Sequence, residues 1–183
     1  MHYLYNGWVV YLRIRQECSS DYADVYELVK ISFSTSSHAD GTESDYLDEV
    51  RKKNTFIPEL SLVVENDNGA LIGQIVLYKT NITTPHGEFT ELLLSPICVH
   101  PNYFKRGIAR FMIEEALQTA RKMGFRAVFL CGEPIIYKKL GFLPSHNYNI
   151  FHEKDNSKSA EWSMVRELYQ GALNGISGTI DTV

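Results

Sequence analysis

The 183-residue chain has little of what would tie it to a membrane, a metal or an oxidising compartment. Its longest apolar runs, such as 92–94 and 127–131, fall far short of the roughly 20 residues that a membrane-spanning helix needs. Cys18, Cys98 and Cys131 are odd in number, widely spaced and without a C-x-x-C pair. That argues against a disulfide framework and a zinc site, and the three read as buried reduced thiols. The histidines at 2, 38, 86, 100, 146 and 152 show no ligand spacing, so no metal is expected. Residues 1–15 are aromatic and apolar but lack a basic segment and a small-residue cleavage site, so they read as part of the fold, and a cytoplasmic location is expected. Positive charge is short as well. With 18 Lys+Arg against 22 Asp+Glu the formal charge is −4, which lacks the field that non-specific nucleic-acid binding draws on. Nucleic acid is therefore not an expected partner, and neither is a membrane.

Apolar content is what the chain does have, at 44% of its residues, enough to bury a sizeable core. No repeat, low-complexity tract or linker divides it, so 1–183 is expected to be one domain. Residues 9–15 are β-branched and end in alternation, a strand signal, and Ser19, Ser20 and Asp21 supply a helix N-cap region. Behind them Tyr22, Val25, Leu28, Val29 and Phe33 recur at helical spacing. A shorter helix is expected over 43–53 with Tyr46, Leu47 and Val50 buried, closed by Pro58. Residues 60–65 and 70–79 predict an antiparallel pair joined by the turn 66–69. Residues 89–99 predict a long strand in which Pro96 cannot donate to a ladder, so a bulge or splayed edge is expected there. The clearest helix is 107–122, with Ile108, Met112, Ile113, Ala116, Leu117, Ala120 and then Met123 on one face and Gly124 as its stop. A strand at 126–131 follows, then a short helix over 134–140 opened by Glu133-Pro134 and closed by Gly141. Weaker strands are expected near 142–150 and 162–168, and the tail from 171 turns small and polar. This order predicts an α/β sandwich with a mixed sheet.

The stretch that carries chemistry is Val99-His100-Pro101-Asn102-Tyr103-Phe104-Lys105-Arg106-Gly107-Ile108-Ala109-Arg110, a strand end running through a basic turn into a helix. A helix N-terminus offers unpaired N–H groups and a positive dipole end, so an anion is stabilised there, and small residues at 107 and 109 let it approach the backbone. A plain strand–turn–helix junction with solvated Lys and Arg accounts for the same residues equally well.

The segment 94–142 resembles the core of the Gcn5-related N-acetyltransferase (GNAT) family. Phe104-Lys105-Arg106-Gly107-Ile108-Ala109 is similar to its Q/R-x-x-G-x-G/A signature, with Phe104 departing from the Gln/Arg position. Ile97-Cys98-Val99-His100-Pro101 resembles the preceding strand, and Tyr137-Lys138-Lys139-Leu140-Gly141-Phe142 the Y-x-x-x-G-F block. The tail from Gly171 to Ile180 resembles the end of a YhbS-like bacterial subgroup. The resemblance implies a three-layer α/β/α fold whose central mixed, mostly antiparallel sheet is splayed after the fourth strand. It implies acetyl-CoA as cofactor and transfer of an acetyl group to a primary amine of a small molecule, peptide or protein by direct attack on the thioester. By position Ile97, Cys98 and Val99 would meet the pantetheine arm, and Lys105, Arg106, Gly107, Ile108, Ala109 and Arg110 the pyrophosphate. Tyr137 matches the family's general acid, and a pKa near 10 suits a donor to a basic thiolate. The backbone N–H of Val99, or of a neighbour on that strand, is the candidate polariser of the carbonyl. Glu91, or its neighbour Glu88, is the candidate base acting through water. Glu133 is expected to cap a helix and His100 to be a loop residue. Residues 33–43 and 146–158 are candidate lining for the acceptor, which they do not identify. A homodimer is left open. Two readings compete: a catalytically silent acyl-CoA-binding module, which Phe104 favours, and an acetyltransferase acting on aminoacyl-tRNA, which would need a local basic face.

Overall fold

The computed structural model describes residues 2–5, 8–34 and 39–182, with side chains from Leu12 onward. It divides into two compact units, 1–76 with 96–116, and 77–95 with 117–183. Strands β5 (Leu71–Thr84) and β6 (Gly87–Val99) and helix α3 (Ile108–Lys122) run from one unit into the other.

In the first unit β1 (His2–Tyr5) and β2 (Trp8–Tyr11) form an antiparallel pair. β3 (Arg13–Gln16) pairs antiparallel with β4 (Phe56–Glu65), from Arg13↔Glu65 to Gln16↔Leu62, and β4 neighbours β5. Between β3 and β4 lie α1 (Tyr22–Phe33) and α2 (Glu43–Lys52). Val25, Leu28 and Val29 of α1 and Leu47 and Val50 of α2 are buried, as their three- and four-residue spacing requires. Tyr22, expected on that stripe, is exposed, with the Arg51 guanidinium 4.1 Å over its ring. Arg51 is itself buried and bridges Glu17 and Asp48 (2.5 Å), and Ser61 completes the Glu17 carboxylate at 2.6 Å. Pro58 does not close the α2 segment; it sits exposed inside β4. Gly73 of β5 lies against α3, for a Cβ there would come 2.9 Å from Met112 Sδ.

In the second unit β6 pairs in parallel with β7 (Ala127–Cys131) at Leu92↔Val128 and Leu93↔Phe129. Parallel neighbours need a crossover, and α3 is the segment between them in sequence. β7 pairs antiparallel with β10 (Ser163–Glu167), which also pairs with β8 (Leu143–Pro144). β9 (Ile150–His152) and β11 (Gly178–Ile180) run parallel, and β11 pairs antiparallel with β5. The sheet is therefore mixed and the class α/β. Residues 142–150 are not one strand, because a 3-10 turn at Ser145–Tyr148, ending on left-handed Asn149, separates β8 from β9. The tail is not merely polar either: β11 lies in it, and Leu173, Ile176 and Ile180 are buried. Met123 is exposed one residue past the end of α3, and Gly124 (φ +90°) turns the chain as expected. Of the cysteines only Cys98 is buried; Cys18 and Cys131 are exposed. No described helix is long and apolar enough to cross a membrane.

Candidate functional site

The turn before α3 takes its shape from two left-handed residues, Lys105 (φ +61°) and Gly107 (φ +79°), on either side of Arg106. Alternating backbone handedness turns successive N–H groups to one side, the geometry of an anion-binding concavity. The first helical bond is closed by Phe111 N on Gly107 O at 3.0 Å, so the N–H groups of Ile108, Ala109 and Arg110 precede the helical ladder. A Cβ built on Gly107 meets nothing within 4 Å, leaving the backbone open to close approach. These features fit a diphosphate held by backbone N–H groups and the helix dipole.

Arg106 folds back onto the residues of the turn. Its Nη2 donates to Asn102 O at 2.7 Å and its guanidinium lies 4.9 Å from the Tyr103 ring centroid, while Tyr103 Oη accepts from Asn66 Nδ2 at 3.0 Å. Arg106 thus braces the turn. Lys105 is exposed and engages no other described residue. Phe104 is 47% exposed.

At the end of β6, His100 N donates to Ile72 O of β5 at 2.9 Å. Backbone groups alternate sides along a strand, so those of Ile97 and Val99 face the edge away from β5, where no strand pairs with them among the described residues. Cys98 has the opposite parity. Its thiol is buried against Ser32 and the Gln74 backbone, and burial pushes it up to about 12. Cys98 therefore contributes neither a side chain nor backbone groups to that open edge. β6 runs unbroken through Pro96, with the parallel pairing ending three residues earlier at Leu93. His100 is a turn residue, its Nδ1 accepting from Asn102 N at 3.2 Å.

In the second unit, α4 (Pro134–Tyr137) opens on Glu133, whose backbone oxygen accepts from Ile136 N and Tyr137 N but whose side chain makes no capping bond. Pro134 fixes the first turn instead. Tyr137 is half-buried and packs edge-on to Phe142 at 5.9 Å. Its ring lies directly on Gly132, where a Cβ would come 2.3 Å from Cε2. No described residue is bonded to its hydroxyl, and burial raises its pKa above the ordinary tyrosine value. The hydroxyl thus stays protonated and uncommitted. The sequence did not reveal Gly132 as its seat, although a glycine directly before Glu133-Pro134 was the available signal.

Glu91 is not a solvated edge residue. It is 2% exposed, and Oε2 accepts from Arg126 N at 2.9 Å and Ala127 N at 3.1 Å, fastening β6 to the head of β7. Desolvation raises its pKa against these two bonds. A carboxylate so committed holds strands together and is poorly placed to take a proton from an amine. Glu88 is exposed and accepts from Asn81 Nδ2 at 2.8 Å. Of the expected acceptor lining, 35–38 lie outside the described residues, and 146–158 cover the 3-10 turn, β9 and an exposed loop. No group of metal-ligating side chains occurs among the described residues.

The family model of the acetyltransferase (GNAT) domain matches residues 13–144, and the chain belongs to that family of acyltransferases. The N-acetyltransferase YhbS of Escherichia coli is 28% identical over 123 residues, 67% of this chain and 71% of the relative. The N-acetyltransferase YjhQ of the same organism is 28% identical over 125 residues, 68% and 66% of the two chains. The crystal structure of Escherichia coli YhbS in complex with CoA shares the fold with a TM-score of 0.82 at 23% identity, over 94% of this chain and 89% of that one. A GNAT acetyltransferase from Brucella melitensis in complex with acetyl-CoA does so with a TM-score of 0.74 at 22% identity, over 94% and 96%.

Proposed function

We propose that the protein is an acetyl-CoA-dependent N-acetyltransferase that acetylates a primary amine of a small molecule, peptide or protein by direct attack on the thioester. The observation that carries this reading is the left-handed turn at Lys105 and Gly107 opening onto the N-terminus of α3. The complexes of YhbS with CoA and of the Brucella melitensis protein with acetyl-CoA support the same choice of coenzyme. Both units belong to one acetyltransferase domain in this reading, since the family match runs through each. The protein is assigned to the cytoplasm.

Acetyl-CoA supplies an acetyl group activated as a thioester. The N–H groups of residues 107–110 and the Lys105 ammonium bind and orient the diphosphate, with Arg106 holding the turn in shape. Ile97 and Val99 offer edge N–H and C=O groups to an extended amide-bearing arm, and the Val99 N–H is the candidate polariser of a carbonyl. Tyr137 holds at Oη the proton that a departing thiolate needs. Glu91 keeps β6 and β7 in register and leaves deprotonation of the amine to solvent or to another group.

Phe104 favours a second reading, a silent acyl-CoA-binding module. Calorimetric titration with acetyl-CoA and a thiol-release assay over an amine panel decide between them. The expected result is micromolar binding, about −8 kcal/mol, by the parent chain, with Phe104→Gln changing it less than about tenfold because at most one hydrogen bond is gained. Acetyl-CoA binding by the parent chain without thiol release from any amine of the panel would establish the silent module.

A further inference from the structure

The second unit contains a hydrogen-bonded chain that the mechanism above leaves unused. β7 ends at Cys131, and side chains alternate faces along a strand. A Cβ on Gly132 would meet the Tyr137 ring and Leu130 Cδ1, so Leu130, Gly132 and Tyr137 share one face. Cys131 points to the opposite face, where its Sγ lies 3.2 Å from Thr182 Oγ1. Thr182 Oγ1 in turn lies 2.7 Å from His152 Nε2. His152 Nδ1 accepts Lys154 N–H at 3.0 Å, so the neutral ring carries its proton on Nε2 and donates it to Thr182. The ring is 4% exposed and packs against Trp162 at 4.7 Å, which fixes its plane, and burial lowers its pKa. Thr182 Oγ1 and Cys131 Sγ share a second hydrogen bond in which either atom can be the donor, and where Thr182 donates its oxygen keeps one lone pair. Both Cys131 and Thr182 reach the surface.

We propose that His152 is a positioning residue that fixes the Thr182 hydroxyl, and that Thr182, with Cys131 beside it, accepts an N–H of the acceptor amine and aims the nitrogen lone pair. This rests on the acetyl-transfer reading. An attacking amine must present its lone pair while an N–H is held, and an oxygen oriented by the fixed His152 donor can hold that N–H. Placement opposite the Tyr137 face suits the reaction, because the nucleophile enters and the thiolate leaves on different sides of the carbonyl carbon. Among the described residues, Glu153, Asp155 and Asp181 act on His152 against Lys154. That balance favours a primary alkylamine without a negative charge over one with a carboxylate next to the amine.

The test uses the full chain, its variants Thr182→Val, Thr182→Ser and His152→Phe, and the pair Thr182→Val with His152→Phe. Each is titrated with acetyl-CoA and assayed for transfer to spermidine, ethanolamine and glycine. The expected result is acetyl-CoA affinity within about twofold throughout, and kcat/KM for the amine lowered about tenfold to a hundredfold in Thr182→Val, mostly through KM. Thr182→Ser should recover to within about threefold, and the pair should lose no more than Thr182→Val alone, because His152 acts through the hydroxyl. Ethanolamine should be preferred to glycine. Parent-like transfer by Thr182→Val overturns the proposal, as does a lowered Tm that Thr182→Ser fails to restore, which would make the chain structural. Preference for glycine overturns the substrate class. A parent chain that does not bind acetyl-CoA overturns the function itself, and with it this proposal.

Discussion

Gly132→Ala separates the seat of Tyr137 from its chemistry. The new Cβ would lie 2.3 Å from Tyr137 Cε2, 2.8 Å from Cδ2 and 3.3 Å from Leu130 Cδ1. Carbon atoms rest at about 3.5–4.0 Å, so the ring must retreat by more than about 1 Å, and its edge contact with Phe142 must shift with it. The φ of Gly132 lies outside the left-handed region, so alanine meets no backbone strain and the whole effect is steric. Overpacking of this kind costs about 1–3 kcal/mol of stability. Misplacing a reacting group by about 1 Å costs about a hundredfold in rate, so kcat should fall about a hundredfold while acetyl-CoA affinity, set at the turn before α3, stays within about twofold. The assay is single-turnover thiol release beside calorimetric titration. The double variant Gly132→Ala, Tyr137→Phe is the control: if the loss runs through the Tyr137 hydroxyl, it should be no slower than Tyr137→Phe alone. A Gly132→Ala enzyme with parental kcat would show that the position of Tyr137 does not matter to turnover, and the general-acid assignment would fall.

Tyr137→Phe removes only an oxygen that no described residue bonds, so Tm and acetyl-CoA affinity should hold while turnover falls about tenfold to a thousandfold; an equal loss of coenzyme binding makes Tyr137 a binding residue instead. Gly107→Ala puts an L side chain at φ +79° and a Cβ into open space over the turn, costing about 1–2 kcal/mol of stability and at least about tenfold in acetyl-CoA affinity. Unchanged affinity would refute the diphosphate cradle. Asp21 accepts from Arg15 at 2.6 and 2.8 Å and from Cys18 N at 2.8 Å, and the Arg15 bonds hold its carboxyl below the ordinary carboxylate range. A depressed folded pKa adds stability above the unfolded value of about 4 and loses it as pH falls through the folded value. Asp21→Asn should therefore cost about 1–3 kcal/mol at pH 7, and its Tm should approach the parent's progressively as pH falls below about 4.

What the sequence disclosed follows from the range of the interactions involved. Helix α3 was legible almost to the residue because Ile108, Met112, Ile113, Ala116, Leu117 and Ala120 repeat at its own period and Gly124 ends it. The turn at Lys105 to Gly107 was legible because backbone chemistry is local. Glu91 was not, since whether a carboxylate on a strand is solvated or buried beneath another strand's N–H groups depends on a partner 35 residues away. β8 and β9 merged in the sequence because only the left-handed Asn149 marks their separation, and asparagine marks many loops. β11 was missed because its small residues carry no pattern; Gly178 is there since its Cα lies where a Cβ would come 2.1 Å from Thr83 O. The chain from Cys131 to His152 joins residues from β7, β9 and the tail, and no spacing could announce it.

The two halves of the proposed chemistry are stabilised in opposite ways. A non-glycine residue at positive φ such as Lys105 persists only when its surroundings over-determine it, and here Arg106 on Asn102 O, Tyr103 under Arg106 and Asn66 on Tyr103 do so without touching the open face of the turn. The strain is therefore held by Arg106, Tyr103 and Asn66, and the backbone of the turn is in shape before an anion meets its N–H groups and the Lys105 ammonium. Tyr137 is the reverse case. It carries no bracing bond at its hydroxyl, and its position is set by contact with Gly132 on one side and Phe142 on the other. A group that must give up a proton gains nothing from a permanent acceptor, since such a bond would have to break at the moment of transfer, whereas packing fixes the oxygen without competing for its proton.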